Sequence, residues 1–517
     1  MHGDGMADWT EGYVADIAYT HGYYSELNPE RLKLAFLAAG HVFPTAGAAC
    51  ELGFGQGVSA NVHAAASMTQ WFGTDFNPAQ AGYAQELAAA SGAGARLFDE
   101  AFEAFCNRPD LPDFDFIGLH GIWSWISDAN RAVIADFVRR KLKVGGVLYI
   151  SYNTQPGWAA LTPLRDLLTE HAQVMGSPGA GIVPRIDAAL EFADKLLASG
   201  AKYGRANPQA AQRLAGLKTQ NRNYLAHEYF NRDWVPMSFS KMNGWLADAK
   251  LSFAASAAYL DHVPQINLSS EQQDLLRQVP DRMFRETVRD LMVNQQFRKD
   301  YWVRGLRTLT TVEQGEALRR LRFVLVVPRS KVTLKVSGAI GEADMQERIY
   351  GPLLARLADH APHSLAELGD ALKEDGIDFG AVVQALLILV GKSAVEPVQD
   401  EAVIEAAAPA SARLNRKLCE QAAFSGAVTV LASPVTGGGV GLGRIEKLYL
   451  LARSRGIDGP GDRARFIVDA LGRTGQRISS DGKPLESPEA EFEHTVSMVA
   501  DMEKNLLPIM EKLRLTW

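Results

Sequence analysis

Cysteine is scarce in this chain. Three thiols, Cys50, Cys106 and Cys419, stand far apart among 517 residues. Such spacing makes neither a metal knuckle nor a disulfide framework, and it fits a reducing compartment. Long apolar runs are missing too. The longest, around 385–390, falls far short of the roughly 18–20 residues that a membrane-spanning helix needs, so no membrane insertion is expected. The first residues, MHGDGMADWTEGY, have neither a basic start nor an apolar core. No secretory leader is therefore expected, and the expected location is the cytoplasm. Positive charge is not in excess either. With 53 Lys and Arg against 60 Asp and Glu, the net charge is −7. That is a poor match for a general polyanion binder, so no nucleic-acid partner is expected.

What is present is an ordinary globular composition, 47% hydrophobic and 22% charged, which excludes a disordered or collagen-like chain. At about 150 residues per domain the length suggests about three domains. It also allows more than one core.

Residues 1–40 read as helical and rich in tyrosine. Asn28-Pro29-Glu30 is a sound helix start, with Asn28 as N-cap and Pro29 in the first turn. From 47 to 155, short apolar runs at 48–52, 70–75, 95–98, 114–119 and 147–152 alternate with helical stretches at 58–68, 78–90 and 130–142. This alternation predicts an α/β fold with a parallel, Rossmann-like sheet. Residues 159–230 read as a helical insertion, 251–259 as a further strand and 297–304 as the last one, so a first domain is expected over 1–307. Two β-rich runs in 321–338, then a three-helix pattern with a capping box at Ser364 and Glu367, predict a winged-helix-like module over 308–400. Its candidate recognition helix, 378–390, has no Lys or Arg, which favours packing or protein docking over base reading. The acidic, alanine-rich stretch 399–412 reads as a linker, TGGGVGLGR at 436–444 as a flexible loop, and 408–517 as a mainly helical C-terminal domain.

The chemistry concentrates after the strands. ELGFGQG, residues 51–57, is a buried strand running into an acid and then into Gly53, Gly55 and Gly57, with a helix behind. Glycines permit a tight turn and close ligand approach, and a helix start offers N–H groups. A dinucleotide would use a similar turn but with a third glycine where Val58 stands. Glu51, ahead of the first glycine, suits the ammonium of S-adenosylmethionine. Asp75, ending the second strand in GTDFNP, can accept from both ribose hydroxyls, and Phe76 would flank adenine. Asp99 and Glu100, in LFDEAFEAF at 97–105, are candidates for the adenine amino group. DFDFIGLHGIWSWISD, residues 113–128, sends His120, Trp123 and Trp125 out of the fourth strand, where parallel sheets bind ligands. His120 has no second His or Cys at ligand spacing, so no metal is expected. SYNTQPGW, residues 151–158, offers Tyr152, Asn153 and the aromatic face of Trp158.

ELGFGQG, GTDF, HGIWSW and SYNTQPGW, in this order, resemble class I S-adenosylmethionine-dependent methyltransferases. More narrowly, HGIWSW and SYNTQPGW look like the bacterial group that carries a methyltransferase regulatory domain. GYYSELNPERL and FRKDYWVRG are also similar to its members. The resemblance implies S-adenosylmethionine as cofactor. It implies that Glu51, Gly53, Gly55 and Gly57 form the methionine-side loop, that Asp75 holds the ribose, and that Phe76 with Asp99, Glu100, Ala101 and Phe102 forms the adenine side. It places His120 beside the cofactor. His120, Tyr152 and Asn153 are the catalytic candidates, and Trp123, Trp125, Trp158 and Tyr23 the substrate-binding ones. Some members of the group are protein-lysine methyltransferases, so a protein side chain is the leading acceptor. A small molecule or glycan is the alternative, and a non-catalytic cofactor sensor the second alternative. Oligomeric state is left open.

Overall fold

The computed structural model describes residues 20–45, 47–480, 483–485 and 487–517. The expectations for the first 19 residues lie outside the described residues. Strands β1 (Ala48–Leu52), β2 (Gln70–Thr74), β3 (Arg96–Phe98), β4 (Phe114–Leu119), β5 (Leu142–Asn153), β6 (Leu251–Ser256) and β7 (Phe297–Arg304) form one sheet in the order β3-β2-β1-β4-β5-β7-β6. Pairing is parallel from β3 through β5, and β7 runs antiparallel between β5 and β6. Chain order reverses between β1 and β4, which opens the crevice where such sheets bind ligands.

Period-two alternation assigns the two faces. On β5, Val147 and Tyr149 join one core, and Leu148, Ile150 and Tyr152 join another. Helices α1 (Pro29–Ala38), α2 (Val58–Ala66) and α3 (Pro78–Ser91) cover the first face. Helices α4 (Phe102–Cys106) and α5 (Asp128–Lys141), with the helix Phe239–Ala247, cover the second. Asn28 caps α1 by accepting from the Glu30 N–H at 2.9 Å, with Pro29 in the first turn.

Helices between 155 and 229 bury a core of their own around Trp158, Leu168, Ile186 and Leu214. Beyond the sheet, Arg322–Leu325 pairs antiparallel with His363–Ser364 and Val395–Pro397. The capping box at Ser364 and Glu367 forms as the pattern predicts. The helix Phe379–Gly391 sinks Val382 and the whole run from Ala385 to Val390 into the main core, so its face is spent on packing.

Two expectations are corrected. The stretch read as a linker is a 22-residue helix, Glu401–Ala422. Ile404, Ala407, Ser411, Leu414 and Leu418 recur at helical spacing and pack on α2, and alanine favours helix strongly enough to tolerate Pro409. The glycine run read as a flexible loop contains a partly buried strand, Gly438–Gly441, paired with Val430–Ser433. Among the described residues, no helix is long and apolar enough to cross a membrane.

Candidate active site

The turn after β1 is built on backbone. The Gly53 N–H donates to the Thr74 carbonyl at 2.8 Å, which ties the turn to β2. Gly53 has φ +73°, and a side chain there would collide with Ile122 on the opposite wall. Gly57 has φ +66°, and a side chain there would collide with Ala84 of α3. Gly57 is thus required by helix packing. No side chain caps α2 at Gly57, and the turn residues just ahead of it, Gly53 to Gln56, line the crevice.

Two carboxylates stand at this turn. Asp75, 7% exposed, accepts from the Gly55 N–H at 2.9 Å and from the Asn77 N–H at 3.0 Å. Burial outweighs those donors and raises its pKa to about 6. Glu51 is 2% exposed, and its Oε2 has no hydrogen-bond partner among the described residues. Burial first, and the Asp75 charge second, raise its pKa to about 8.

Past β3, Glu100 lends Oε1 to Arg108 at 2.6 Å, while its Oε2 is buried without a partner among the described residues. At the end of β4, the Nδ1 of His120 lies 2.8 Å from the Tyr149 hydroxyl. Its ring stacks on Tyr24, with centroids 3.5 Å apart. Burial lowers the His120 pKa to about 4; the nearby Glu26 opposes that shift and Lys299 adds to it. The imidazole is therefore neutral at pH 7.

These groups surround one open cavity of about 1130 Å³, its mouth included. Of the residues singled out in the sequence, the cavity brings together Gly53, Gly55, Asp75, Phe76, Glu100, Ala101, Phe102, His120 and Trp125. Others sit elsewhere. Glu51 is buried behind the wall and Gly57 lies between two helices, while Asp99 is exposed away from the cavity. Strand alternation turns Tyr152 to the other face of the sheet, where its hydroxyl donates to Asp300 at 2.9 Å. Asn153 is held by its backbone, donating to Ser124 Oγ at 2.8 Å and accepting from the Met237 N–H at 3.0 Å. Trp123 points into the core, edge-on to Trp245. Trp158 packs edge-on to Trp234 in the helical insertion. Tyr23 turns away and accepts the Gly439 N–H at 2.6 Å.

Sequence reasoning missed several wall residues: Tyr24, Gln56, Gln80, Asn130 and Asp233 among them. Gln56 stands between two of the glycines and Tyr24 in the aromatic run, so both carried a signal. Asp233 carried none, because only the return of the chain from the helical insertion brings it to the cavity.

A sheet ordered 3-2-1-4-5-7-6, a glycine turn after β1, and acids at the ends of β1 and β2 define a class I methyltransferase fold. Residues 221–304 match the family model described as "Predicted methyltransferase regulatory domain". That segment supplies β6 and β7. The chain is 40% identical over 510 residues to the protein sll1526 of Synechocystis sp., covering 98% of this chain and 99% of that one. RP789 of Rickettsia prowazekii is 29% identical over 205 residues, 37% of this chain and 35% of that one. The solved structure of PKMT2 from Rickettsia typhi in complex with AdoHcy matches with a TM-score of 0.68 at 17% identity, covering 96% of this chain and 99% of that one. The chain belongs to one family with sll1526, its residues 221–304 carry the methyltransferase regulatory domain, and its fold is that of the class I methyltransferases, whose cofactor is S-adenosylmethionine.

The residues present fit this cofactor. Asp75 offers two oxygens to vicinal hydroxyls, Phe76 and Phe102 offer apolar faces, and Glu100, in the same cavity, has an Oε2 that can accept a hydrogen bond.

Proposed function

We propose that this enzyme methylates a protein side-chain amine, with lysine as the acceptor. The observation that carries the proposal is the charge of the cavity. Its walls hold Asp75, Glu100 and Asp233, and no Lys or Arg is among the described residues that line it. Asp75 and Glu100 suit the cofactor. Asp233, on the segment following the helical insertion and ion-paired with its neighbour Arg232 at 3.1 Å, is the acid that would meet a cationic side chain.

S-adenosylmethionine would supply an electrophilic methyl group on a sulfonium. The chain has to orient an amine lone pair toward it and keep water away. Trp125, Ile122 and Ile126 supply apolar wall, and desolvation there lowers the pKa of an entering amine toward its nucleophilic form. His120, with a pKa of about 4, is too weak a base to deprotonate an ammonium at neutral pH, so the proton leaves to solvent at the open mouth before transfer. The neutral ring serves as wall and hydrogen-bond partner instead.

The test is incubation with methyl-tritiated S-adenosylmethionine and a lysate of the source organism, either untreated or with its amines acetylated beforehand. Base-stable label in a protein band that disappears after acetylation supports lysine. Label confined to small molecules would replace the reading with a small-molecule acceptor. Asp233→Asn should cut protein labelling while leaving AdoHcy affinity within about twofold.

A further inference from the structure

The wall formed by Thr20, Gly22 and Tyr24 belongs to a short segment with little regular structure of its own. Backbone is extended at Tyr24 (φ −123°, ψ 103°) and at Asn28 (φ −75°, ψ 115°), with one 3₁₀ turn, Ser25–Leu27, between them. Its position is set by anchors on separate elements. The Tyr24 N–H donates to Ser59 Oγ at 2.8 Å. Glu26 pairs with Lys299 on β7, and its carbonyl accepts from the Tyr301 hydroxyl at 2.8 Å.

The remaining anchors come from far along the chain. The Tyr23 hydroxyl accepts the Gly439 N–H at 2.6 Å, and Asn28 Nδ2 donates to the Thr436 carbonyl at 3.1 Å. The receiving hairpin, Val430–Ser433 with Gly438–Gly441, is itself fastened. Asn415 exchanges two hydrogen bonds with the backbone of Ala432, at 2.7 and 2.8 Å, and Ser433 Oγ donates to the Leu513 carbonyl at 2.7 Å. Its glycines are shaped to the segment. A Cβ on Gly438 would lie 2.6 Å from Asn28 Nδ2 and 2.7 Å from Tyr23 Oη, and one on Gly439 would lie 2.8 Å from Tyr23 Cζ.

We propose that this C-terminal hairpin is a clamp on residues 20–28, and that Tyr23 is a positioning residue that holds Tyr24 against His120 and so sets the shape of the cofactor cavity. Tyr23 and Tyr24 are successive residues pointing to opposite sides. Any shift of Tyr23 on the hairpin is transmitted to Tyr24 through one peptide unit. An error of about 1 Å at a binding wall is costly. The C-terminal region thereby governs cofactor affinity without touching the cofactor. The inference rests on reading the cavity as the cofactor site.

A matched pair of substitutions on one strand tests it. Gly438→Ala wedges the hairpin off Tyr23 and Asn28, whereas Gly441→Ala meets nothing within 4 Å. Calorimetry with S-adenosylhomocysteine on the full chain should show affinity lowered about tenfold or more in Gly438→Ala, and within about twofold of wild type in Gly441→Ala. Tyr23→Phe, which deletes one hydrogen bond, should lower it about three- to tenfold. In variants that still melt cooperatively, the His120 imidazole titration is followed by NMR, because a change confined to the hairpin would not reach that ring. Burial should keep it neutral down to about pH 4 in wild type. In Gly438→Ala it should titrate closer to the ordinary histidine value, as Tyr24 uncovers the ring. Wild-type affinity and an unchanged His120 titration in both Gly438→Ala and Tyr23→Phe would overturn the clamp. Should Gly438→Ala fail to fold, Tyr23→Phe alone decides by the same criteria. Should the wild type not bind S-adenosylhomocysteine, the cofactor reading falls, and the His120 titration still decides the clamp.

Discussion

Asp75 and Glu51 carry opposite burdens at one turn. Asp75 holds the turn together through the Gly55 and Asn77 N–H groups while presenting its oxygens to the cavity. Asp75→Ala should therefore weaken S-adenosylhomocysteine binding about a hundredfold, since charge-assisted hydrogen bonds contribute about 1.5–3 kcal/mol each. Unchanged affinity by calorimetry would remove Asp75 from the site. Glu51 is buried with a pKa raised to about 8, so the folded apoprotein keeps a proton there that the unfolded chain releases near the ordinary glutamate value. The folded state then binds more protons over that interval, and its stability falls as pH rises from about 4.5 to 8. Glu51→Gln cannot ionise, so its gain in melting temperature over wild type should grow between pH 5 and pH 8. A gain that is flat with pH would mean that the Glu51 carboxyl is not held protonated.

At the scale of elements, the strands were the most legible part. β1 and β4 lie where the apolar runs put them, because strands covered on both faces read as short, mostly hydrophobic stretches, and β7 falls on FRKDYWVR, the segment read as the last strand. The helix Glu401–Ala422 was illegible for the converse reason. Its acidic, alanine-rich start and Pro409 look solvated, and the surface that its apolar stripe needs comes from α2 and α3 on one side and from Val430–Ser433 and the helix Arg444–Ser454 on the other. Leu414, fully buried in that seam, is the sharp probe. Leu414→Ala should cost about 2–5 kcal/mol by urea denaturation. A loss below about 1 kcal/mol would mean that the seam contributes little to stability.

For the whole molecule, the sheet and the C-terminal region are not separable bodies. Val58, Val62, Ala65 and Leu87 of α2 and α3 share one apolar cluster with Leu414, Leu431, Leu448 and Ile467. The buried pair Arg31–Glu396 and the Gln399 side chain, which donates to the Ala66 carbonyl at 2.8 Å, cross the same boundary. A chain truncated after residue 400 should expose that apolar face, bind a hydrophobic dye, and lose S-adenosylhomocysteine affinity. If the truncated chain melts cooperatively and binds like the full one, the shared core is dispensable to the site.

The sequence by itself determined the class of fold, the glycine turn and the acids at the strand ends, because periodicity and turn chemistry are local properties. It also determined that an aromatic-rich segment follows β4. Tertiary structure alone decided which of those aromatics meet the cavity. Trp125 lines it while Trp123 fills the core, and Tyr24 faces it while Tyr23 faces a hairpin more than 400 residues later. Neighbours in sequence part ways there because side-chain direction follows backbone register and the partner that each face finds. That partner comes from elsewhere in the chain. The same holds for Asp233, an ordinary loop acid until the returning chain sets it in the wall of the cavity.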